Sequence, residues 1–236
     1  MKIGIFLNTQ ISTNDSLSQH IFNNTEQVKA ARDSGFDLLC AGEHFLSHPY
    51  QMVSTIPFLA RMAADCGDMA IAATVLLLPL HNPVALAEDI ATLDAMSGGK
   101  FILGAGLGYR EEEFQAFGIK SSERVSRLKE SLHIIKLLLA NEEVEYQGNY
   151  YKIPNTISCI RTEQKPHPPI WMAANNNKAI IRAANWGYPW IINPHATIAM
   201  IDTQIGVYRE AIKSAGLQEP KHLPLMREIQ ISETRQ

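Results

Sequence analysis

The chain has 236 residues, 46% of them hydrophobic, with 21 basic side chains against 24 acidic ones and a formal charge of −3. That is ample apolar material for one well-buried core, and with no basic stripe a nucleic-acid partner is excluded. No apolar run approaches the roughly 20 residues that a membrane-spanning helix needs.

The first strand is expected at Lys2–Leu7, in a start too short and polar for a signal peptide. A polar loop follows over Asn8–Ser18, then a helix near His20–Ser34 with Gly35 as its stop. The second strand is Phe36–Ala41 and the second helix about Ile56–Asp65. The third strand, Met69–Leu78, runs into Pro79, and the third helix opens at Asn82-Pro83 and closes near Ser97 before two glycines. Proline suits a first helical turn, where its missing N–H would have been unpaired. Phe101–Gly104 is the fourth strand. After a long loop, Val125, Leu128, Leu132, Ile135 and Leu139 mark a fourth helix over Ser122–Ala140. Residues 143–153 alternate and turn at Gly148-Asn149, which predicts a short hairpin insertion. The fifth strand is Ile170–Ala173, followed by a helix over Asn177–Trp186. The sixth strand is Tyr188–Ile192, with a helix over Thr197–Ala215, and the seventh strand is Leu223–Ile231.

Strands this apolar, alternating with helices, should lie parallel with both faces covered. The expectation is an α/β fold: one domain over 1–236, a (β/α)8 TIM-barrel-like ring that is incomplete. It has about seven parallel strands and lacks the C-terminal helix–strand–helix. An open doubly wound sheet is the alternative. A trimmed ring leaves backbone edges on its first and last strands, to be covered by another subunit or by the N-terminal loop, or left open if the chain is a fragment. Three well-separated cysteines, Cys40, Cys66 and Cys159, suit a reduced, cytoplasmic protein better than a disulfide framework.

In barrels of this kind the chemistry sits on loops beyond the carboxyl ends of the strands. Glu43-His44 follows the second strand, and histidine exchanges protons near neutrality. Thr74-Val75 lies near the exit of the third strand, where the plain reading is core. Gly104, Gly106 and Gly108 alternate after the fourth strand and allow close backbone approach. No helix starts there at once, so this is not a dinucleotide fingerprint. Arg124 and Arg127 are candidates for phosphate or for salt bridges to Glu123 or Glu130. Asn175, Asn176 and Asn177 open a helix and suit either capping or an anion. No metal-ligand spacing and no serine-nucleophile elbow occur, so no metal is expected.

MKIGIFL at the start, GFDLLCAGEHF at 35–45, LPLHNPVALAEDIATLDAMSGGKFILGAGLGYREEEFQAFG at 78–118 and PPIWMAANNNKAIIRAANWGYP at 168–189 resemble the bacterial luciferase-like flavin-dependent monooxygenases. The resemblance implies reduced FMN at the carboxyl end of the barrel, supplied by a separate flavin reductase. With O2 it would oxidise a small organic substrate through a peroxyflavin. His44 matches the family's active-site histidine and Glu43 its acidic neighbour. Thr74-Val75 matches a non-proline cis peptide beneath the flavin ring. Gly106 and Leu107 match the cofactor loop, although an arginine stands in place of Leu107 in luciferase itself. Arg124, Asn175, Asn176 and Asn177 match phosphate contacts. The family habit implies a homodimer. Two alternatives stand beside this: hydride transfer with a deazaflavin, and a non-catalytic flavin-binding chain. Family members usually run longer.

Overall fold

A computed structural model describes residues 1–229. The chain forms two compact units, Met1–Pro169 and a second that begins at Ile170. The first unit contains β1 (Gly4–Phe6), β2 (Gln10–Ser12), α1 (Leu17–Asp33), β3 (Leu38–Ala41), β4 (Tyr50–Met52), α2 (Thr55–Ala63) and β5 (Ala70–Leu77). It continues with α3 (Pro83–Met96), β6 (Phe101–Gly106), α4 (Glu111–Ala116), α5 (Arg124–Ala140), β7 (Glu143–Gln147) and β8 (Lys152–Ile157). The second contains β9 (Ile170–Ala173), α6 (Asn177–Asn185), β10 (Trp190–Ile191) and α7 (Ile198–Ser214).

In the first unit β1, β3, β5 and β6 pair in parallel, in that order, with Leu39 opposite Ile71 and Ile71 opposite Phe101. Consecutive residues Ile71, Ala72, Ala73 and Thr74 are all buried, so β5 is covered on both faces, as its unbroken apolar run requires. The helices between the strands start where local chemistry allows. Asn82 accepts from the N–H of Val84 at 2.9 Å ahead of Pro83, and Ser16 accepts from Gln19 at 3.3 Å to open α1. In the second unit β10 pairs with β9 in parallel. Trp190, Tyr208, Ile180 and Ile212 fill its core.

The β5–β6 ladder shifts register between Ala73 and Leu76, and the Thr74–Val75 peptide inside that bulge is cis. Glycine on β6 makes room for it. A Cβ on Gly104 would collide with the Ala73 carbonyl oxygen, and one on Gly106 would come within 2.5 Å of Val75 Cγ2.

The structure corrects the sequence reading in four places. The loop over 8–18 contains β2, which pairs antiparallel with β4. At three residues each, these strands are too short to show a period. The loop after β6 contains α4, a helix of six residues whose first turn is acidic. The seventh strand is reduced, within the described residues, to one parallel bridge between Ile192 and Leu225. Pro224 removes a donor from that segment, and residues 230–231 of the expected strand lie outside the described range. The hairpin is longer than 143–153. It spans Glu143–Ile157 and is seated on α5 by Glu130, whose carboxylate accepts the N–H groups of Asn149, Tyr150 and Tyr151 at 3.2, 3.1 and 2.9 Å.

Candidate active site

The carboxyl ends of β3, β5 and β6 bring together a cluster of charged and aromatic side chains within the first unit. β3 ends at Ala41, and Glu43 and His44 follow after Gly42. His44 Nδ1 lies 2.9 Å from Glu113 Oε1, which also accepts the Phe45 N–H at 2.9 Å. The Glu113 side chain is 0% exposed, and its Oε2 has no hydrogen-bond partner. Arg110 stands 3.7 Å from Oε1 and supplies a compensating charge. Its guanidinium is also tied to the carbonyls of Phe45 and Leu46, both at 2.9 Å. Leu46 has φ 48°, a conformation L residues avoid, and this grip holds it there.

The other edge of the His44 ring faces outward. The side chain is 28% exposed, and the Tyr109 hydroxyl stands 3.4 Å from Nε2, with the rings edge to face. Glu43 is buried and makes a separate set of bonds. Its Oε2 accepts the Leu77 N–H at 2.9 Å and lies 2.7 Å from His81 Nε2. Beneath the cluster, Leu77, Leu80 and Phe114 pack with Phe45, Val75 and Ile119.

Thr74 and Val75 are in this unit too. Thr74 Oγ1 is buried with no hydrogen-bond partner, and it approaches the Cys40 thiol without hydrogen-bond geometry. Burial pushes the Cys40 thiol up to about 11, partly offset by that hydroxyl. An unsatisfied buried hydroxyl at a strand exit is a group that a bound ligand can complete. Gly106 closes β6, buried, and Leu107 is half-buried beside it. Arg124 begins α5, half-buried, and its guanidinium has neither hydrogen bond nor ion pair among the described residues. Arg127 instead pairs with Glu123 at 3.0 Å and lies over the Tyr150 ring.

Asn175, Asn176 and Asn177 are exposed in the second unit, at the start of α6. The Asn176 side chain caps the helix by accepting from Ala179 N at 3.0 Å. That leaves the N–H groups of Asn177 and Lys178 as free donors at a positive helix end, which fits a phosphate.

The sequence reading passes over Glu113, Tyr109, Arg110 and His81. All four stand on segments leaving β5 or β6 at their carboxyl ends. That position, together with charge or a ring, is the signal that marks them.

A parallel α/β unit with its charged and aromatic side chains gathered at the carboxyl ends of the strands has the layout of a barrel-type fold. The sequence profile described as luciferase-like monooxygenase matches residues 1–236, and the chain belongs to that family. The y4vJ protein of Sinorhizobium fredii is 30% identical over 92% of this chain and 61% of its own length. The F420-dependent glucose-6-phosphate dehydrogenase of Kineococcus radiotolerans is 29% identical over 80% of this chain and 58% of its own. The oxygenase component of flavin-dependent trigonelline monooxygenase from Acinetobacter baylyi is 24% identical over 75% and 49%. The chain thus spans less than two thirds of these relatives. The crystal structure of monooxygenase RslO1 from Streptomyces bottropensis superposes with a TM-score of 0.85 at 26% identity, covering 96% of this chain and 70% of that one. The oxygenating constituent of 3,6-diketocamphane monooxygenase from Pseudomonas putida, in complex with FMN, gives 0.79 at 19%, covering 94% and 65%. These likenesses establish the TIM-barrel-like fold class over the doubly wound alternative. The family contains flavin-dependent monooxygenases and F420-dependent oxidoreductases.

Proposed function

We propose that this chain is a flavin-dependent monooxygenase acting on a small organic substrate with reduced FMN and O2, and that His44 is the group that moves the proton. The His44–Glu113 pair carries this reading. The Glu113 carboxylate only accepts, as it does from the Phe45 N–H, so His44 Nδ1 supplies the hydrogen between them. Nε2 is then the nitrogen that takes up and returns a proton on the exposed side of the ring. The buried carboxylate stabilises the imidazolium that results.

Bound reduced FMN would supply the two electrons that turn one oxygen atom of O2 into water while the other enters the substrate. Around it, Glu43, Thr74, Val75, Gly106 and Leu107 would line the ring, with the Thr74 hydroxyl gaining the partner it lacks. The apolar floor of Leu77, Leu80, Phe114 and Phe45 would keep water from the reacting atoms. Arg124 would face the phosphate. The name "oxygenase component" of the trigonelline enzyme supports a separate reductase as the source of reduced FMN.

A second reading replaces FMN by a deazaflavin and oxygenation by hydride transfer. The 29% identity to an F420-dependent dehydrogenase supports it. Parallel titration with both reduced cofactors separates the two. Within either reading, His44→Ala should lower turnover about 10²- to 10⁴-fold while leaving cofactor affinity almost unchanged. Unimpaired turnover by that variant removes His44 from the mechanism.

A further inference from the structure

Glu43 and His44 are consecutive, and each is bound to a residue of the other's type: His44 to Glu113, Glu43 to His81. The His44–Glu113 pair belongs to the chemistry proposed above. The Glu43–His81 pair is more buried, with side chains 5% and 18% exposed, and it fastens two strand ends together. The Glu43 backbone N–H donates to the Val75 carbonyl at 3.2 Å, and its Oε2 accepts the Leu77 N–H at 2.9 Å. A carboxylate oxygen accepts and has no hydrogen to give, so His81 Nε2, at 2.7 Å, is the donor in the second bond. His81 is itself fixed: it follows the short turn Leu78–Leu80, and its carbonyl accepts the Tyr151 hydroxyl of the β7–β8 loop at 3.3 Å.

We propose that His81 is a positioning residue for His44, acting through Glu43. Consecutive side chains leaving a strand point to opposite sides, so a backbone rotation at Glu43 swings His44 as well. One donor lets a carboxylate pivot; two donors from different directions fix it. Without His81, a buried carboxylate left with a single donor gains by turning toward water. That movement drags the β3 exit away from the β5 bulge, and His44 Nδ1 leaves Glu113. Two His–Glu pairs on neighbouring residues therefore divide the labour, one moving the proton and the other holding the loop that carries it. The inference rests on the assignment of the proton to His44.

The test is histidine side-chain 15N–1H NMR on the cofactor-free 236-residue chain, with the His44 signals assigned by their absence from His44→Gln. The wild type should show an exchange-protected Nδ1–H at His44. His81→Ala should lose that signal, and His81→Gln, whose amide can still donate to Glu43, should keep it. If His81→Ala does not fold, His81→Leu takes its place, since it fills the volume without a donor. Loss of the signal in the donor-free variant with retention in His81→Gln supports the proposal. An unchanged signal in a folded donor-free variant overturns it. No cofactor is needed, so the result stands apart from the functional reading. A chain with the latch intact that binds neither FMN nor F420 sinks that reading alone.

Discussion

At the scale of the residue, two carboxylates of one chemistry are given different work by their surroundings. Glu113 is sealed from water with one oxygen unpartnered, and the other is committed to His44 and the Phe45 amide. Glu113→Gln keeps the volume but removes the charge that stabilises a protonated ring. It should lower turnover about 10- to 100-fold, measured under saturating cofactor, with a far smaller change in cofactor affinity. Equal losses in both quantities would mean that Glu113 only supports the fold. Thiol chemistry gives a second check at this scale. Cys40 and Cys66 are buried and burial pushes both thiols up, whereas Cys159 is exposed. A thiol-labelling reagent should modify one cysteine in the native chain, Cys159, and three after denaturation; rapid native labelling of Cys40 contradicts the packing of β3. His44 was legible in the sequence because it follows a strand with a chain-neighbouring acid. Glu113 was not, because its partner stands 69 residues away and only the fold brings them together.

At the scale of the element, the strongest sequence signals were stop signals. Pro83 and Gly98 bracket α3 almost where expected, and β9 spans Ile170–Ala173 as read. Elements without a full period escaped: β2, β4 and the six-residue α4. The β6 glycines read in sequence as room for a ligand, and the structure adds a second reason, contact with the β5 bulge. Gly106→Ala should therefore destabilise the chain by about 1–3 kcal/mol, as overpacking does. Gly206, inside α7 with open space where a Cβ would stand, should behave oppositely. Gly206→Ala should stabilise by about 0.5–1 kcal/mol. Denaturant melts of the two variants measure both signs, and a harmless Gly106→Ala contradicts the tight strand contact.

At the scale of the whole molecule, the alternation of apolar strands and capped helices was enough to read an α/β barrel type, since that pattern follows from burying both faces of parallel strands. The division of the chain after Pro169 coincides with a proline-rich stretch, Pro166, Pro168 and Pro169, which in sequence reads as no more than the lead into the next strand. No helix among the described residues is long and apolar enough to cross a membrane. Stability should fall in alkali. The Cys40 thiol ionises near its ordinary value in the unfolded chain but at about 11 in the fold. Between those values the unfolded state binds fewer protons, so stability declines as pH rises, by at most about 1.4 kcal/mol per unit from this group. Cys40→Ala should flatten that part of a stability-versus-pH curve. The most direct measurement of the central claim is an anaerobic equilibrium titration of the chain with reduced FMN and, separately, reduced F420, in wild type and His44→Ala. The account expects saturable one-to-one binding of one of these cofactors, with nearly equal affinity in both proteins; no saturable binding of either cofactor contradicts it.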